Sequence, residues 1–247
     1  MANWSDPRSD IAGFGGTTVA RGEAFDAGLR GYMLSVYNYM ASGVLLTGIV
    51  ALLFSRGGMA SPAAQILLQP GILKYVIMFA PLAFVMVLSF GLSRLSTVAT
   101  QAIYWAYAAA MGLSLSSIFL MYTQTSIAQT FFATAAAFAG LSLWGYTTKR
   151  NLSGFGTFLI MGVVGLLVAS LINLFLRSSA MDMVISFIGV LLFAGLTAYD
   201  TQKIKSIYVH VAGTDMMGKS VVMGALNLYL DFINMFLFLL RFMGNRD

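Results

Sequence analysis

Of 247 residues, 9% are charged and 59% hydrophobic, whereas a soluble domain carries about 25% charged residues. A soluble chain this apolar lacks the polar groups to cover its surface, so lipid is the solvent that fits. The net charge of +5 comes from Lys and Arg spread singly between apolar runs, not clustered as nucleic-acid binding requires.

The chain has no cysteine and one histidine, His210. Disulfides, thiolate chemistry and multi-histidine metal centres are thereby excluded. The first thirty residues are polar and of mixed charge, with no basic start leading into an apolar stretch. They read as a flexible cytoplasmic tail, residues 1–30, ahead of a membrane domain, residues 31–244.

A helix needs about 20 apolar residues to cross the hydrocarbon core, so charge-free intervals mark the spans. The first runs from Tyr32 to Phe54 and ends in a turn-rich stretch, Ser55 to Pro62, with Pro70 and Gly71 beyond. The second runs from Lys74 to Ser93 and holds Pro81, which should kink it. The interval between Arg94 and Lys149 is too long for one span. Its polar stretch Tyr122 to Ser126 divides it into a third, Thr100 to Met121, and a fourth, Ile127 to Tyr146. The fifth runs from Gly154 to Leu176. The sixth starts near Asp182 and passes Asp200 toward Ile207. After a polar loop, His210 to Lys219, the seventh runs from Ser220 to Leu240. The fold class is therefore all-α, a polytopic bundle of seven transmembrane helices.

With the N-terminus inside, the inner segments hold Arg8, Arg21, Arg30, Arg94, Lys149, Arg150, Lys203, Lys205 and Lys219. The outer ones hold Arg56, Lys74, Arg177, Arg241 and Arg246. Nine against five of the 14 basic residues favours a cytoplasmic N-terminus. A re-entrant seventh segment, returning the C-terminus inside, remains open. Ala108 to Ala110, Ala135 to Ala137, Gly162 and Gly165 are candidate sites of close helix contact.

Only two of nine acidic residues, Asp200 and Asp231, fall well inside the spans. An ionised Asp at mid-membrane costs about 2.5–3.5 kcal/mol on insertion scales, so each needs a partner, a proton or a water-filled cavity. Asn227 and Asn234 lie four residues before and three after Asp231, on the same helical face. Asp200 follows Thr197 by one turn and precedes Lys203 by three residues. It admits two readings: a helix-end salt bridge to Lys203, or a position opposite Asp231 beside a cavity. Two carboxylates that close in a low dielectric share a proton, which makes a pH-sensitive latch. Arg94 also admits two readings, a helix-flanking charge or a cation competing with that proton. The two aspartates with Asn227, Asn234, Thr197 and water could form a loose, transit-type calcium site.

Catalysis is poorly supported. Ser114 and Ser142 follow glycines but have none after them, and His210 falls in a polar loop. Tyr199-Asp200 matches half of a di-aspartate protease pattern, but the residues before Asp231 do not supply the Gly-x-Gly half. No tightly bound cofactor is expected.

The stretches Gly195–Lys205 (GLTAYDTQKIK) and Ala225–Phe236 (ALNLYLDFINMF) resemble the sixth- and seventh-helix motifs of the Bax inhibitor-1, or transmembrane Bax inhibitor motif, family. Thr147–Ser153 (TTKRNLS) is similar to a further recurrent segment, and the resemblance runs from Ala27 to Gly244. It implies a bundle with the seventh helix central, and a pH-sensitive calcium leak whose sensor is Asp200 with Asp231. It also implies a latch from an arginine of the second helix, for which Arg94 is the candidate. Eukaryotic members suppress cell death from the endoplasmic reticulum; this chain resembles the bacterial branch, which implies the plasma membrane. One bacterial branch instead modulates a membrane-anchored AAA protease, a partner-binding role.

Overall fold

The computed structural model describes residues 12–245, with side chains from residue 23 onward. Helix α1 (Ala12–Ser55) is followed by a 3-10 turn (Gly58–Ala60), a π-helical turn (Ala64–Leu68) and α2 (Ile72–Gly91). Then come α3 (Thr97–Leu115), the short α4 (Ile118–Met121), α5 (Gln124–Thr147), α6 (Ser153–Leu176), α7 (Ser179–Val211) and α8 (Met216–Met243). Among the described residues, seven helical segments are long and apolar enough to cross a membrane, with α3 and α4 forming one of them. The expected spans match these within a few residues. The first differs: part of the expected tail, residues 1–11, lies outside the described residues, and the remainder is helical from Ala12 as the beginning of α1.

Polar residues set the boundaries. The Ser96, Thr123 and Ser178 hydroxyls accept from backbone N–H groups of the first turns of α3, α5 and α7, satisfying donors that have no intrahelical acceptor. At the other ends, the Lys205 ammonium donates to the Tyr146 carbonyl at 2.9 Å, and Lys219 donates to Leu92 O at 3.3 Å. Cations there also complement the helix dipole. The turn from α7 to α8 passes through Gly213 at φ 74°, a conformation that only glycine adopts without penalty.

Helix α8 is the axis. Its buried positions circle the helix, and it packs against α7, α1, α5 and α3. By contrast α2 packs mainly on α3, and α6 on α7, so both present large hydrophobic side chains outward. Leu, Phe and Met turned to the outside are normal when the surroundings are lipid tails. The seventh span is thus central, as the resemblance implies. It is also long enough to span: 28 unbroken helical residues extend about 42 Å at 1.5 Å per residue. Asn245, just past its end, accepts from the Thr123 N–H at 3.2 Å and donates to Ser126 Oγ at 3.0 Å. The end of α8 therefore lies beside the start of α5, and the re-entrant alternative is excluded.

Pro81 sits buried inside a continuous α2. Proline brings no N–H, so the carbonyl four residues earlier, on Ile77, loses its helical partner. Ser114 of α3 supplies the missing donor, Oγ to Ile77 O at 2.5 Å. In lipid an orphaned carbonyl would be costly, so this one bond lets the proline stand and ties α2 to α3.

Two of the expected close contacts are present: Ala108 is fully buried and its carbonyl accepts from Thr47 Oγ1 of α1 at 2.8 Å, and a Cβ at Gly162 would meet Leu192. A Cβ added at Gly145 would run into the backbone of Ala198, and one at Gly112 into the backbone of Thr47. These two glycines bring α5 against α7 and α3 against α1. Gly165 has nothing within 4 Å, and Ala136 and Ala137 are exposed.

Candidate functional site

Helices α7 and α8 form an antiparallel hairpin with the most extensive contact of any helix pair. Asp200 is 11 residues from the end of α7 and Asp231 is 15 from the start of α8. At 1.5 Å per residue these are about 17 and 22 Å from the same end of the hairpin. Their side chains meet: the two carboxyl groups lie within hydrogen-bonding reach of one another. Asp231 is 4% exposed, whereas Asp200 is half-buried. Among the described residues, Asp231 Oδ2 is one of two buried side-chain polar atoms without a hydrogen-bond partner; the other is Tyr107 Oη.

Asp200 makes no ion pair with Lys203. Lys203 is near enough for its charge to be felt by Asp200, but its ammonium sits 5.9 Å from the centroid of the Tyr199 ring. The reading of Asp200 as a helix-end salt bridge is therefore set aside in favour of the facing pair. Arg94 does not join the pair. It is exposed in the turn after α2 and makes no ion pair among the described residues, so in this conformation it is a helix-flanking charge and not a latch. The ion pair formed by the described residues is at the opposite end, Arg241 to Asp182 at 3.4 Å.

The flanking polar residues divide. Thr197 is fully buried and donates to Phe193 O at 2.8 Å, so its hydroxyl is spent on its own helix. Asn234 donates to Leu230 O at 2.8 Å, which leaves its side-chain carbonyl free. Asn227 is half-buried and makes no hydrogen bond. Both asparagines flank Asp231 on α8 as the spacing requires. No group of three His, Cys, Asp or Glu that could hold a metal ion occurs among the described residues. The groups available to a passing cation are thus the two carboxylates and the asparagine carbonyls, whose oxygens only reach the lower limit of the six to eight that calcium takes in a tight site.

Two buried features went unread in the sequence. Tyr104 and Tyr107 of α3 meet Tyr229 of α8, with the Tyr107 and Tyr229 rings 5.1 Å apart. The Tyr229 hydroxyl bonds Thr47 Oγ1 of α1 at 2.7 Å. Second, a run of hydroxyls crosses three helices: Tyr37 to Ser142 at 2.9 Å, Ser142 to Thr201 at 2.8 Å, and Thr201 to Thr197 O at 2.7 Å. The available signal was tyrosine at i, i+3 in an otherwise apolar span, since a buried phenol seeks a partner. Ser142 and Ser114 are both engaged in these structural bonds. His210 is exposed in the last turn of α7 rather than in the loop beyond it.

Comparison with known sequences agrees with the geometry. A family model described as "Inhibitor of apoptosis-promoting Bax1" matches residues 29–247. A protein of Rickettsia prowazekii is 47% identical over 231 residues, 93% of this chain and 96% of its own. The inner membrane protein YbhL of Escherichia coli is 46% identical over 222 residues, 89% of this chain and 94% of its own. A Caulobacter vibrioides protein is 46% identical over 233 residues, covering 90% and 92%. With seven helices able to span a membrane and a match over nearly the whole chain, this protein is an integral membrane protein of the Bax inhibitor family.

Proposed function

We propose that this protein is a calcium leak pathway of the bacterial inner membrane, gated by protonation of the Asp200–Asp231 pair, with its N-terminus in the cytoplasm. One observation carries the reading: the two carboxyl groups face each other inside the spans with no ion-paired cation beside them among the described residues. With one proton between them, the pair holds a strong O–H···O⁻ bond. As pH rises that proton leaves, two negative charges face each other at close range, and the contact is lost. The hold is present at lower pH and lost at higher pH. Helix α2, attached mainly through α3, is the element whose position such a change can alter. Calcium enters as cargo, passing carboxylate and asparagine oxygens without a closed ligand cage. The inner membrane location rests on YbhL, and the orientation on the nine-to-five distribution of Lys and Arg.

The test is flux into liposomes across pH. An amide opposite a carboxylate keeps its hydrogen bond without titrating, so Asp200→Asn and Asp231→Asn should each flatten the pH dependence of calcium entry. Wild-type pH dependence in both variants would end this reading. A protein that carries no calcium at any pH would move attention to binding a membrane protease.

A further inference from the structure

Helices α1 and α5 do not pack against each other along their length. Between them lies a crevice of about 750 Å³, lined by Arg30, Tyr37 and Val44 on one side and Phe138, Ser142 and Tyr146 on the other. Its floor is Phe232 of α8, which meets Phe138 and Phe131 edge-on at 5.6 Å. Away from the mouth that holds Arg30 and Tyr146, the walls are hydrocarbon apart from Tyr37 and Ser142, whose hydroxyls satisfy each other at 2.9 Å. Nothing in the walls calls for water. From Arg30 to Leu45, the extent of α1 along the crevice, fifteen residues rise about 22 Å. That exceeds one leaflet's share, about 15 Å, of a hydrocarbon core about 30 Å thick, and suits one extended acyl chain.

One mouth is cationic. Arg30 lines it, is exposed, and forms no ion pair among the described residues. Tyr146 stands across from it with Lys205 on its carbonyl at 2.9 Å and 4.8 Å from its ring centroid. Lys149 and Arg150 follow within one turn of chain and are exposed. Basic groups between helices at the level of the headgroups attract anionic lipid, and arginine binds phosphate bidentately. The geometry points to a binding site for one anionic glycerophospholipid, its acyl chain lying between α1 and α5 and its phosphate on Arg30. Phe232 adjoins Asp231 in sequence, so the bound chain rests on the segment of α8 that carries the proposed sensor.

The site is tested by native mass spectrometry of the full chain released from bilayers of equal phosphatidylglycerol and phosphatidylcholine. One retained phosphatidylglycerol per chain is expected, favoured at least tenfold over phosphatidylcholine. Ala139→Trp fills the crevice from an exposed position on α5 and should abolish retention. Ala41→Trp fills it from α1 and serves if the first variant melts early. Arg30→Gln should cut the preference to near unity. Retention that survives both tryptophans, or no headgroup preference in the wild type, overturns the assignment. A second copy of the chain retained in place of lipid would do the same. None of these outcomes depends on calcium flux.

Discussion

Asp231 and Arg94 show how differently two charges fare in one fold. Asp231 is sealed in facing its partner acid, with Oδ2 unpartnered, while Arg94 is out in a turn with no ion pair among the described residues. Exposed substitutions without partners usually change stability by no more than about 0.5 kcal/mol. Arg94→Gln should therefore melt with the wild type, and in flux assays its pH response should follow the wild type as well. A shifted pH response in that variant would mean that the arginine reaches the acids in a second conformation. Both aspartates were legible in the sequence because charge is so rare inside the spans. That they face each other was one of two readings that spacing left open, since no spacing rule relates residues on different helices, and only the family likeness favoured it. Thr197 was expected among the calcium-site oxygens; sequence shows a hydroxyl but not that its hydrogen goes to Phe193 O.

Helix α2 depends on a bond that its own sequence cannot make. Removing the Ser114 hydroxyl leaves the Ile77 carbonyl without a donor, at a cost of about 1–3 kcal/mol. The Pro81→Ala change restores a helical N–H to that carbonyl. Ser114→Ala should then lower the melting temperature of the wild type by several degrees but that of Pro81→Ala by much less, a coupling read by a double-mutant cycle. Two glycines give an opposed pair. Gly145→Ala forces α5 away from the Ala198 backbone and should cost about 1–3 kcal/mol, as overpacking does. Gly165→Ala meets nothing within 4 Å and should add about 0.5–1 kcal/mol through reduced chain entropy. Thermal unfolding in detergent measures all five variants, the double mutant included. Span limits were readable because charges and capping hydroxyls are local signals. The tight contact at Gly145 was not, because triplets of alanine look more suited to packing than a lone glycine between Trp144 and Tyr146.

Seven helices long enough to cross would put the start of α1 and the end of α8 on opposite faces of a bilayer. The absence of native cysteine makes that simple to check. In intact cells, Arg177→Cys should react with a membrane-impermeant maleimide and Lys149→Cys should not, becoming reactive only after lysis. The reverse pattern would turn the molecule over without altering its fold. Apolar length and charge placement made this architecture legible, while the central place of α8 came from the family likeness and is borne out by its burial. The hydroxyl run through α1, α5 and α7 carries one more consequence. Thr201 gives its hydrogen to Thr197 O, so Ser142 must give to Thr201 and Tyr37 to Ser142. A backbone oxygen at the terminus has nothing to pass on, which makes the run a blind alley for hydrogen-ion traffic. On the proposed gating, acid would reach the carboxyl pair by way of Asp200, its half-buried member, and not through these hydroxyls.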